Sequence, residues 1–152
     1  MEAARDIGLC LSGGGYRAAV FHLGSLVRLN EAGLLPRLRT VSSVSGGSIV
    51  AGLLGLRWCD LIFDVAGVAS NLSNVIIDPM LLFTGKGLDV GAVLRSGFIP
   101  GLVSRRVQGR YKDLYADSTL ADLPARDEGP DFVITATNLA TGALFRLPPR
   151  AS

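Results

Sequence analysis

Ile7-Gly8-Leu9-Cys10-Leu11-Ser12-Gly13-Gly14-Gly15-Tyr16-Arg17 is a five-residue apolar run stopped by a serine and three consecutive glycines. A run this short and this apolar reads as a first strand buried on both faces. From Tyr16 to Glu31 the spacing becomes helical, with Ala19, Val20, Leu23, Leu26, Val27 and Leu29 apolar, and Gly33 stands where a helix C-cap glycine belongs. Pro36 blocks further helix. Arg39 to Val44 then reads as a second short strand, and Gly46 to Leu56 returns to helical apolarity. Two strand-turn-helix units in succession predict an α/β fold with a mainly parallel sheet.

Further along, Asp60 to Pro100 has no clean period, because Gly and Pro punctuate a mixed apolar stretch. Short helices and loops are expected there, with one helix over Asp89 to Leu94. Ser104 to Tyr115 is a better helix candidate, and Ser118 to Pro124 reads as a helical turn ended by proline. Asp131 to Thr137 is strongly β, and Asn138 to Gly142 makes a turn before a hairpin partner over Ala143 to Leu147.

The bulk numbers bound the answer. At 152 residues the chain is one domain at most, long enough to bury a core. It is 49% hydrophobic and only 18% charged, against about a quarter charged in an ordinary soluble domain, so some apolar surface is expected to lie exposed. A net charge of +2, with the only basic group at Arg105, Arg106, Arg110 and Lys112, gives no dense basic face, which argues against a nucleic-acid partner. Cys10 and Cys59 lack metal-ligand spacing and lie in apolar stretches, so both are read as reduced core residues. No metal or other cofactor is expected. The first residues, Met1 to Asp6, have no apolar h-region and do not read as a signal peptide. Ile49 to Val68, the longest apolar run, is broken by Arg57, Asp60 and Asp64 and does not read as a membrane span. A cytoplasmic location is expected. Nothing in the sequence sets the oligomeric state.

Both turns carry chemistry. Gly13, Gly14 and Gly15 remove the Cβ atoms that would obstruct approach to backbone N–H groups, and the helix starting near Tyr16 adds its positive end. Such a loop suits an oxyanion. It also fits a phosphate- or lipid-head-group-binding loop, although Ala18 stands where a dinucleotide fingerprint has its third glycine and no acidic residue follows at a second strand's end. In the second turn, Ser43-Val44-Ser45-Gly46-Gly47 resembles the G-x-S-x-G nucleophile elbow with serine in first place. Small neighbours, Ser43 and Gly47 among them, let Ser45 stand out from a sharp strand-to-helix turn. The competing reading has these serines merely capping a helix. A nucleophilic serine needs a base. The one histidine, His22, lies within the first helix beside an apolar face and is read as structural, which leaves a serine–aspartate dyad.

The strand with Gly13-Gly14-Gly15-Tyr16-Arg17, the following helix and Val44-Ser45-Gly46-Gly47-Ser48 resemble the N-terminal half of patatin-like phospholipases. Thr135-Ala136-Thr137-Asn138-Leu139-Ala140-Thr141-Gly142 also looks like a strand and turn of that family, which often has Asp where Asn138 stands. The resemblance implies part of a three-layer α/β/α fold and a serine acyl hydrolase with a Ser–Asp dyad. It implies a lipid or other ester substrate, with peripheral membrane contact through apolar surface rather than an anchor. By resemblance, Ser45 is the nucleophile, Gly13, Gly14 and Gly15 donate to the oxyanion, and Arg17 supports the loop. The family's dyad aspartate sits in Asp-Gly-Gly or Asp-Gly-Ala, and no Asp-Gly dipeptide occurs in this sequence. The expectation is therefore an incomplete, N-terminal part of such an enzyme, inactive by itself.

Overall fold

A computed structural model describes residues 5–85, 102–138 and 140–147, residues 102–107 by their backbone. Strand β1 (Ile7–Leu11) leads through the glycine loop into helix α1 (Gly15–Glu31), and β2 (Leu38–Val44) leads through the second turn into α2 (Gly46–Leu56). A π-type turn over Ser73–Ile77 runs into α3 (Asp78–Gly85); α4 (Leu102–Tyr115) follows, then β3 (Asp131–Thr137) and β4 (Leu144–Leu147). The sheet order is β1-β2-β3-β4, parallel except for the β3–β4 hairpin. The fold is α/β with a mainly parallel sheet, as expected. The expected helix over residues 89–94 lies outside the described residues.

Helix boundaries follow local chemistry. Gly33, at φ 67°, follows the end of α1, where its N–H reaches Asn30 O and the next N–H reaches Leu29 O; a Cβ would strain this left-handed conformation. Asn30, buried at the last turn, clamps a distant loop by donating to Ala69 O (3.0 Å) and accepting from Ala69 N (2.7 Å). That pair gives the irregular stretch after Asp60 a fixed seat against α1.

The core lies on one face of the sheet. Register places Leu9, Leu11, Val41, Ser43, Phe132 and Ile134 on a common face. Leu11, Val41, Ser43 and Phe132 are buried there beneath Val50, Leu53 and Leu54 of α2. Gly8, Cys10, Thr40, Ser42 and Val44 share the opposite face, where Gly8, Cys10 and Val44 are exposed. The reading of β1 as buried on both faces is thus corrected. β1 to β2 to β3 steps in one direction across the sheet, and right-handed crossovers taken in one direction lay their helices on the same side. Two cysteine assignments change for related reasons. Cys10 falls on the open face of β1, and Cys59 is exposed in a helical turn over Trp58–Asp60 that buries only Trp58; both are free thiols, as expected, but neither is in the core.

Candidate active site

The glycine loop is shaped by backbone geometry that other residues resist. Gly14 adopts φ 139° and Gly15 φ 64°, so the chain turns from β1 into α1 within two residues. Gly13, Gly14 and Gly15 are all exposed. Neither Gly13 nor Gly14 spends its N–H on a backbone hydrogen bond among the described residues. Gly15 opens α1, whose first N–H groups have no partner within the helix. Donors and helix dipole are therefore presented together at one exposed turn.

The second turn stands against the first. Ser45 is a non-glycine residue at φ 50°, ψ −118°, outside the ordinary allowed regions. It precedes α2 as the N-cap residue, yet its hydroxyl makes no capping hydrogen bond. Its neighbours show why only glycine fits: a Cβ on Gly46 would sit 2.2 Å from Gly15 O, and one on Gly47 would sit 2.4 Å from Leu11 O. The two turns are thus in direct backbone contact. A Cβ built on Gly13 would lie 3.4 Å from Ser45 Cβ, which puts the free donors of the loop beside the serine.

Ser43 and Ser48 are placed differently. Ser43 is 1% exposed, and its hydroxyl donates to Val133 O at 3.5 Å, a long bond inside the sheet. Thr135 Oγ1 donates to Ser43 O at 2.7 Å, so β3 braces β2 just before the elbow. Ser48, one turn into α2, has a buried Oγ with no hydrogen-bond partner among the described residues. It lines a cavity of about 320 Å³ with Gly52, Leu56, Tyr115, Leu123 and Ile134. This cavity begins on the stripe of α2 one turn below Ser45, about 4.5 Å along the helix axis.

The sequence reading placed Arg17 as the loop's support. It is exposed and forms no hydrogen bond or ion pair among the described residues; the loop is tied to α1 by His22 instead. His22 is buried, with Nε2 3.0 Å from Ser12 O. A structural role for His22 is expected from the sequence, but this contact is not legible there, since its partner ten residues back is a main-chain oxygen. No carboxylate hydrogen bonds to Ser45 among the described residues.

An aromatic cluster backs the site. Tyr16, the residue after the loop, meets Phe83 edge-on at 5.5 Å, Phe83 packs on Tyr111 at 5.6 Å, and Tyr111 stacks on Tyr115 at 6.0 Å. Tyr115 donates to Ile49 O at 2.8 Å, linking α4 to the first turns of α2. Burial pushes the Tyr115 phenol well above the usual tyrosine range, with Tyr111 adding to the effect; burial also raises Tyr111.

Among the described residues no helix is long and apolar enough to cross a membrane. Comparison with known proteins gives two matches of different kinds. The family model described as patatin-like phospholipase matches residues 9–66. No curated protein matches the chain significantly. Among solved structures, the fold is similar to human GIVD cytosolic phospholipase A2, determined in complex with methyl gamma-linolenyl fluorophosphonate, at a TM-score of 0.55 and 18% identity. The match covers 95% of this chain but 23% of that one, so the chain spans under a quarter of the solved relative's length. The glycine loop and the Ser45 turn both fall inside the segment, residues 9–66, that is similar to the patatin-like phospholipase model, and the fold is similar to that of a phospholipase A2.

Proposed function

We propose that this chain carries the nucleophile and oxyanion site of a serine acyl hydrolase acting on lipid esters. One observation carries the reading: a strained, exposed Ser45 with no capping hydrogen bond stands against a glycine loop whose Gly13 and Gly14 N–H groups make no backbone hydrogen bond among the described residues. In the proposed reaction Ser45 Oγ attacks the ester carbonyl carbon. The carbonyl oxygen becomes an oxyanion held by the Gly13, Gly14 and Gly15 N–H groups, and collapse releases the alcohol and leaves an acyl-serine. Each such donor is worth about 3 to 4 kcal/mol of transition-state stabilisation. The apolar cavity beside Ser48, Gly52 and Leu56 takes the acyl chain. The dyad carboxylate that would accept the serine proton is, on this reading, none of the 13 acidic residues of the sequence, since none forms an Asp-Gly motif and none bonds to Ser45 among those described. Substrate headgroup contact with a membrane surface follows from the substrate class.

The test combines turnover with labelling. The 152-residue chain is expected to hydrolyse a p-nitrophenyl ester near background and to accept a fluorophosphonate slowly, with mass spectrometry placing the adduct on Ser45 and Ser45→Ala abolishing it. Fast turnover lost in Ser45→Ala would show that the acid is present in this chain. Labelling elsewhere, with Ser45→Ala unaffected, overturns the nucleophile assignment.

A further inference from the structure

His22 is the only histidine of the chain, and it is 4% exposed within α1. Its Nε2 lies 3.0 Å from Ser12 O and 3.4 Å from Ser12 Oγ. A carbonyl oxygen only accepts, so Nε2 carries the hydrogen and donates it. Ser12 C=O belongs to the same planar peptide as Gly13 N–H, and no peptide among the described residues is cis. In a trans peptide the two bonds point in opposite directions. Holding Ser12 O toward α1 therefore aims Gly13 N–H away from α1's interior, on the residue that sits against Ser45.

This peptide needs holding. It is followed by three glycines, two of them at positive φ, and glycine makes rotation of the peptide plane inexpensive. A rotated Ser12–Gly13 peptide would present a carbonyl oxygen where an oxyanion has to be stabilised, replacing attraction by repulsion. The residue read from sequence as support, Arg17, makes no contact that would prevent this among the described residues. Phe21, edge-on to the imidazole at 5.5 Å, flanks the ring.

We propose that His22 is a positioning residue that latches the Ser12–Gly13 peptide in the orientation that presents Gly13 N–H to the reacting oxygen. The proposal rests on the reading of Ser45 and the glycine loop as nucleophile and oxyanion site. It assigns His22 no proton transfer and no contact with substrate.

Two measurements on the 152-residue chain test it. In the wild type, ¹⁵N NMR of the imidazole is expected to show Nε2 as the protonated nitrogen, with a through-bond coupling to the Ser12 carbonyl carbon. A neutral ring protonated only at Nδ1 overturns the latch without any variant having to fold. Fluorophosphonate labelling of Ser45 then gives the functional readout, with saturation kinetics separating reaction from binding. His22→Leu is expected to lower the labelling rate constant by 10-fold to 100-fold with the half-saturation concentration within twofold of wild type, and to shift the Gly13 amide resonance. His22→Gln, whose amide N–H reaches where Nε2 did, is expected to restore most of the rate. Equal rates in His22→Leu and wild type, or equal losses in His22→Leu and His22→Gln, overturn the proposal. Absence of any Ser45 labelling in the wild type would instead sink the nucleophile assignment, while the NMR readouts would still report on the latch.

Discussion

A side chain held at φ 50°, ψ −118° stores backbone strain of about 1–3 kcal/mol, and at Ser45 that strain is what turns the hydroxyl out of the sheet. Ser45→Ala keeps the Cβ and the strain, whereas Ser45→Gly removes both and gives back about 0.5–1 kcal/mol through the entropy of a freer unfolded chain. Ser45→Gly is therefore expected to be more stable than Ser45→Ala by about 0.5–2 kcal/mol in urea denaturation; equal midpoints would mean that the turn is unstrained. The tight strand-to-helix turn at Ser45 was legible in the sequence because its constraints are local: small residues at Gly46 and Gly47 are demanded by backbone oxygens 2.2 and 2.4 Å from where a Cβ would be. The anchoring of the loop was not legible. Arg17 attracted attention by its charge and proximity, but the contact that fixes the loop is a buried imidazole on a main-chain oxygen, and helix position alone does not reveal such a pair.

Elements with a strong period were read to within a residue or so. α2 spans Gly46–Leu56 and β3 spans Asp131–Thr137 as expected, and α1 begins one residue earlier, at Gly15. The stretch after Asp60 resisted reading because its order comes from elsewhere: Asn30 clamps Ala69 across 39 residues, and a π-type turn replaces regular helix before α3. α4 illustrates how a helix legible by its period gains its purpose only through packing. Tyr115, at its end, hydrogen bonds Ile49 O, and burial holds its phenol neutral in the folded chain beyond the pH at which an unfolded tyrosine, with a pKa of about 10, ionises. Above that pH the unfolded state releases a proton that the folded state retains, so stability falls as pH rises. Tyr115→Phe is expected to lose about 1 kcal/mol at pH 7 with the hydrogen bond, and to show a shallower decline in stability above pH 10. A wild-type stability flat from pH 9 to 11 would contradict this.

At the scale of the molecule, the direction of the crossovers decides which side of each strand is wet, and this is why an apolar run such as Ile7 to Leu11 misled. Nothing within five apolar residues says that both helices will take the same side. The exposure of Cys10 follows, Cys59 is exposed in the short helical turn after α2, and both are expected to react with a thiol reagent in the native state without denaturant. Partial desolvation of the sulfur, together with the nearby Glu128 and Asp60 carboxylates, raises the thiol of the exposed Cys59, so its rate is expected to keep climbing past the pH where an ordinary thiol levels off. Protection of either cysteine until unfolding would restore the core assignment. Apolar side chains also remain at the surface, as the composition suggested, among them Phe21, Ile62, Val65, Leu144 and Phe145. The brace from Thr135 to Ser43 spans 92 residues. Pairings this distant along the chain close slowly, since the intervening loop entropy is lost before the contact forms. On a ribosome, β2 waits unpaired on one edge until residues 131–137 have emerged, so the serine turn matures well after the glycine loop, and nascent chains display that loop long before the Ser45 turn is braced.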